Sequence, residues 1–137
     1  MKLRKEIAIG VIATALISGA AIAQVRSERG GNPEAAKMEN PVPATEESIA
    51  RGKEYYEEHC QQCHYDDGKG AEGTFGESGP GASNLVDDHY EFGGSEGEVF
   101  AITKGGVLPE LYMPMYEGVI SDEAIWDIVN YINHGLK

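Results

Sequence analysis

A chain of 137 residues is one domain with some length to spare rather than two. It carries 23 acidic against 11 basic side chains, a formal net charge of −12. That balance repels phosphates and excludes nucleic acid as a natural partner, while a protein with a basic docking patch would be drawn in, chiefly through faster encounter; solubility alone is the plainer account of the same charge. Its two cysteines sit three residues apart, which excludes a scaffold stapled by widely spaced disulfides.

The N-terminus reads as an export segment. Lys2, Arg4 and Lys5 precede an apolar run from Ile7 to Ala23, which closes on Ala21-Ile22-Ala23, the small-residue pattern a signal peptidase accepts. The run is also at the short limit for a membrane span, with Gly10, Thr14, Ser18 and Gly19 weakening it. Residues 1–23 are thus a signal peptide or an N-terminal membrane anchor. Both place the remainder outside the cytoplasm, periplasmic or extracytoplasmic, soluble or held on the outer face of the cytoplasmic membrane. Residues 24–44 hold Gly30, Gly31, Pro33, Pro41 and Pro43 with hardly any bulky apolar side chain. Such a stretch buries too little to offset its ordering entropy, which predicts a disordered linker. The compact domain is expected over 45–137.

Thr45 is the N-cap of a first helix beginning Glu46-Glu47-Ser48. Along it Ile49, Gly52, Tyr56 and Cys60 recur at three- and four-residue steps and share one face. From 66 to 94 the helical period vanishes and eight of 29 residues are glycine, the mark of a long loop. Loops of that length are uncommon in a small domain unless they wrap something. Ser95 and Glu98 form a capping box ahead of Val99, Phe100 and Ile102, and Gly105-Gly106 ends that helix. The last helix opens at Ser121, with Asp122 and Glu123 suiting the positive end of its dipole. Ile120 and Ile125 form a hydrophobic staple, and Ile125, Ile128, Val129 and Ile132 make the buried face, widened by Trp126 and Tyr131. Gly135 is expected to close it. The fold class is all-α, three to four short helices and no strands. So small a core, nearly a third of it in one loop, would be completed by a buried cofactor.

Cys60-Gln61-Gln62-Cys63-His64 supplies one. Cys-x-x-Cys-His is the attachment pattern for c-type haem. Each sulfur adds to one vinyl group, and the adjacent His64 becomes the proximal ligand of the iron. Three rivals compete. A thioredoxin-like pair needs a strand–helix context that is missing. A zinc site would draw on Cys60, Cys63, His64 and one of His59, His89 or His134, leaving the loop unexplained. A disulfide across three residues would constrain very little. For the sixth ligand the candidates are Met113, in Leu111-Tyr112-Met113-Pro114-Met115-Tyr116, and its neighbour Met115. Pro114 disfavours helical geometry at Met113 and holds the segment extended, and methionine opposite histidine raises a haem potential. Filling a core gap is the plainer use of a methionine. Met38 lies in the linker.

From Ser48 to Ile132 the chain resembles the small monohaem class I cytochromes c. Gly52 and Tyr56 stand eight and four residues before Cys60, Met113-Pro114 matches the family's distal segment, and the stretch from Ser121 to Ile132 is very similar to its closing helix. The resemblance implies a cytochrome c fold, one covalently attached haem, Cys60, Cys63, His64 and Met113 as its holders, and a crossing of the last helix over Gly52, which lacks a side chain. It also implies a proline whose carbonyl accepts the other N–H of the proximal histidine. Pro80 is the candidate, with a neighbouring carbonyl as the alternative, because Gly81-Ala82-Ser83 separates it from Asn84-Leu85 where the family commonly runs straight on. His59, His89 and His134 are expected on the surface.

The expected function is that of a monomeric electron-transfer protein, not an enzyme, acting with redox partner proteins in a respiratory or dehydrogenase-linked chain. The alternatives are a haem enzyme or gas-binding protein with a displaceable sixth ligand, or a fixed haem subunit of a larger oxidoreductase complex.

Overall fold

The computed structural model describes residues 30–70, 81–107 and 113–137. The expected export segment, residues 1–23, lies outside them, as do Pro80, Leu111 and Tyr112. Four helices are formed there: α1 (Glu46–His59), α2 (Gln61–His64), α3 (Glu96–Gly105) and α4 (Asp122–Tyr131). No strand occurs among the described residues, where two isolated bridges, Val107 with Met113 and Glu117 with Ile120, are the extended pairings. None of the described helices is long and apolar enough to cross a membrane.

The local signals act where the sequence places them. The Thr45 hydroxyl accepts from the Ser48 N–H, the Ser121 hydroxyl accepts from the Ala124 N–H, and Ser95 with Glu98 closes a full capping box. Helix α3 ends at Gly106 with φ +68°, a conformation glycine takes without a Cβ penalty. The end of α4 differs from expectation. The chain does not stop at Gly135 but widens into a π-helical turn over Ile132–Leu136. Gly135 serves there as a close-packing position: a Cβ would stand 2.6 Å from the Tyr131 ring and 3.1 Å from Ile49.

Helices α1 and α4 cross at Gly52, where a Cβ would collide with the Asp127 carbonyl oxygen and lie 2.9 Å from the Tyr131 Cβ. Around the crossing Tyr56, Ile128, Tyr131 and Ile132 form one apolar cluster, with the Tyr56 and Tyr131 rings 5.3 Å apart. Phe100, Ile125, Trp126 and Val129 form a second between α3 and α4, Phe100 stacked on Trp126 at 4.1 Å. The seam also holds a buried carboxylate, Asp127, which is 1% exposed. Its oxygens accept from the Ser48 hydroxyl (2.6 Å) and from Arg51 Nε and Nη2 (2.8 and 2.9 Å), so its charge is both paired and hydrogen-bonded.

The expectation of a disordered linker over 24–44 is corrected for residues 30–44, which lie packed on the helices as a strap. Ala35, in a 3-10 turn at Ala35–Lys37, is fully buried, and Gly97 of α3 leaves room for its carbonyl. Asn40 donates to the Asn130 side chain (2.8 Å), which in turn donates to the Val42 carbonyl (3.0 Å), and Val42 packs against the Phe100–Trp126 cluster. Polar and backbone bonds replace the missing apolar bulk, which is why composition did not reveal the strap.

Glu98 ties this strap to α3. Its Oε1 accepts from the Asn32 N–H (2.9 Å) and its Oε2 from the Ser95 N–H and hydroxyl (3.0 and 2.7 Å). Burial pushes the carboxyl up, but the bonds from Ser95 and Asn32 outweigh it and hold it below its ordinary value. A carboxyl lowered by folding stabilises at neutral pH, and its contribution is lost as pH falls through the folded-state value. Glu98→Gln is therefore expected to cost about 1–2 kcal/mol at pH 7. The gap to the parent should narrow in acid, as denaturant titrations at pH 7 and pH 3 will show. An equal gap at both values would remove the charge from the account.

Candidate functional site

Helix α1 stops at Cys60, whose φ of −114° breaks the helix, and the chain restarts as the single turn of α2. The N–H groups of Cys63 and His64 both donate to the Cys60 carbonyl, at 3.0 and 2.9 Å. One turn thus presents Cys60, Cys63 and His64 to the same cavity of about 230 Å³. Its other walls are largely apolar: Tyr56, Ile128 and Ile132 at the helix crossing, Val99 and Ile102 of α3, Leu85, Tyr90 and Phe92 of the glycine-rich segment, and Val107, Met113, Pro114 and Tyr116.

Both thiols are free. Burial, and then the neighbouring Cys63, push the Cys60 thiol up to about 12. A reactive redox cysteine requires the opposite shift, toward thiolate. Among the described residues no three His, Cys, Asp or Glu side chains converge as a metal-ion cluster, so the zinc alternative lacks its ligands.

His64 Nδ1 lies 2.9 Å from the Ser83 carbonyl oxygen. A carbonyl only accepts, so Nδ1 carries the hydrogen and the lone pair is left on Nε2. Burial lowers the His64 pKa, against a smaller opposing effect of the Ser83 bond. The imidazole is thereby kept neutral, the form that ligates a metal. The acceptor expected at Pro80 is corrected to Ser83, three residues on. The extra Gly81-Ala82-Ser83 stretch carries the carbonyl onto the ring, and Gly70, at φ +65°, is packed beneath it, where a Cβ would collide with the Ala82 carbonyl oxygen and stand 2.7 Å from that of Ser83.

Immediately after His64 the chain enters an unusual conformation. Tyr65 has φ +60° and ψ 173°, a region nearly reserved for glycine that costs a residue with a side chain about 1–3 kcal/mol. The Tyr65 carbonyl accepts from the Tyr56 hydroxyl at 2.8 Å.

Met113 is half-buried on the cavity wall, and its carbonyl accepts from the Val107 N–H at 3.1 Å. Met115, by contrast, is 50% exposed and does not line the cavity. Of the two neighbouring candidates, Met113 alone borders the cavity, and Met38 lies exposed on the strap. Tyr116 ties the Met-Pro segment to the end of α1: its hydroxyl donates to the His59 carbonyl (2.7 Å), and its ring meets the His59 ring edge-on at 5.7 Å. The surface expectation for His59 is corrected on this ground, since its side chain is only 21% exposed and lines the cavity. His89 and His134 are exposed as expected. Tyr116, Ser83 and the Tyr56 hydroxyl carry contacts that no motif announced.

Paired thiols and a neutral imidazole on one helical turn, an apolar cavity beside them, and a thioether in its wall fit a haem joined through sulfur. A helical fold built on such a cavity defines the class I c-type cytochromes, and the cofactor of that class is a covalently attached haem with iron. Residues 47–132 match the family described as cytochrome C oxidase, cbb3-type, subunit III, and the chain belongs to that family. No curated protein matches the sequence. Among solved structures it is similar to cytochrome cL of Methylophaga aminisulfidivorans MPT (18% identity, TM-score 0.52, covering 75% of this chain and 59% of that one). Cytochrome cL of Hyphomicrobium denitrificans is similar at 16% identity and TM-score 0.54, over 80% of this chain and 70% of that one. A chain of the reducing HAO-like protein complex of Kuenenia stuttgartiensis aligns at 25% identity and TM-score 0.59, over 71% of this chain and 46% of that one. The chain therefore spans about three fifths of the first of these relatives and less than half of the last.

Proposed function

We propose that the protein carries single electrons between redox partner proteins outside the cytoplasm, in a respiratory or dehydrogenase-linked chain. In this reading Cys60 and Cys63 would attach the haem, and His64 and Met113 would hold its iron. One observation carries it: His64, with Nδ1 committed to Ser83, and Met113, pinned through Val107, line the same cavity beside the two thiols. Bound haem supplies the one-electron chemistry, and the chain supplies ligands, polarity and shielding. Val99, Ile102, Ile128 and Ile132 exclude water from the cavity, and the Ser83 carbonyl fixes the proximal ring and raises its basicity. The acidic surface supports a partner with a basic docking patch, met faster by electrostatic attraction.

The expected result on purified native protein is a mass raised by one haem and a reduced spectrum with His/Met character, unchanged under carbon monoxide. Ready binding of carbon monoxide, or no His/Met signature, would overturn the reading in favour of a displaceable sixth position. The similarity to a chain of the HAO-like complex favours, as a second reading, a haem subunit seated beside other redox subunits. The electron chemistry is then the same and the partner fixed.

A further inference from the structure

We propose that the Tyr56 hydroxyl is a positioning group for His64: it holds the Tyr65 turn that sets the Ser83 carbonyl on the imidazole. The inference rests on His64 being the proximal ligand. Tyr56 is almost fully buried at the α1–α4 crossing, where its ring packs against Tyr131. Phenylalanine would fill that space as well, so packing alone does not account for the oxygen. The hydroxyl is directed at the Tyr65 carbonyl, 2.8 Å away.

The consequence of that bond runs along the chain. Tyr65 occupies φ +60°, ψ 173°, which an L side chain rarely adopts unless its surroundings hold it there. From this point the backbone doubles back: the Gly70 N–H donates to the His64 carbonyl (3.1 Å), and the Gly68 carbonyl accepts from the Leu85 N–H (2.8 Å). Gly70 then lies directly against the Ala82 and Ser83 carbonyls. Residues 68–70 are thus the platform on which 82–85 rests, and Ser83 O is the atom that meets His64 Nδ1. Without the clamp on Tyr65 the turn is free to relax, the platform moves, and the carbonyl loses its register with the ring. The hydroxyl therefore acts on the iron ligand through backbone, without touching it.

The test uses the haem-loaded protein and the substitution Tyr56→Phe, which keeps the ring. Expected are Nδ1–H exchange from His64 faster by about tenfold, the loss of roughly one hydrogen bond, and an upward shift in reduction potential as the imidazole becomes less basic. Adding Tyr65→Gly should restore both, because glycine holds a positive φ without help. In a Tyr65→Gly background, Tyr56→Phe should then be nearly silent. A Tyr56→Phe protein that loses stability with exchange and potential unchanged would overturn the proposal, and so would failure of glycine to restore them. The parent's spectrum reports separately on the haem reading: absence of histidine ligation there would remove His64 as ligand before any variant is compared.

Discussion

Met113→Ala is expected to abolish the His/Met spectral signature and lower the reduction potential by on the order of 0.1 V or more, within the roughly 0.8 V that axial ligands span. The same change at Met115 should do neither. Met113 stands on the cavity wall, whereas Met115 is 50% exposed. A neutral thioether favours reduced iron, so exchanging it for water lowers the potential and opens the sixth position to carbon monoxide. The fold should survive, because the Met113 link to Val107 is made by its carbonyl and not by its side chain. Visible spectra, carbon monoxide titration and voltammetry on both variants, with thermal melting as the control for folding, decide it. Loss of the signature in Met115→Ala with Met113→Ala intact would reverse the assignment.

What the sequence disclosed was governed by short-range chemistry. The caps at Thr45, Ser95 and Ser121 are bonds between residues three apart, so a local pattern suffices to read them. The buried face of α4 follows from helical period in the same way. The attachment motif is equally local. Features that depended on distant packing were not legible. Ser83 is chosen by a backbone carbonyl, which every residue possesses, so its role follows from where the 68–70 platform leaves it and not from its side chain. His59 is covered by Tyr116, 57 residues away. Met113 and Met115 stand two apart, so alternation alone gives them the same face, and it takes the folded chain to put Met113 on the cavity wall, paired with Val107, and leave Met115 half-exposed. The strap was missed because its anchors are Asn32, Asn40 and main-chain groups, each of which looks like ordinary loop composition.

Gly52→Ala tests the junction on which all of this stands. In an exposed helix the change would be stabilising, since alanine is favoured over glycine by about 1 kcal/mol. Here the added Cβ meets the Asp127 carbonyl and, at 2.9 Å, the Tyr131 Cβ. Both obstacles are main chain or its first carbon, and neither can rotate away. Helix α4 would have to move, yet its Asp127 is tied to Ser48 and Arg51, within the turn of α1 that precedes Gly52. Relief of the clash therefore strains the buried carboxylate network. The net expectation is a loss of at least about 2 kcal/mol, which for a domain of this size is a fall in melting temperature of roughly 8 °C or more. Because α1 ends on Cys60, displacement of the crossing also shifts the turn that carries both thiols and His64, so the yield of haem-loaded protein should drop with stability. Thermal melts and the haem-to-protein absorbance ratio measure the two together. Equal or greater stability in the alanine variant would mean that the helices can part without cost, and that close approach is not what requires glycine at this position.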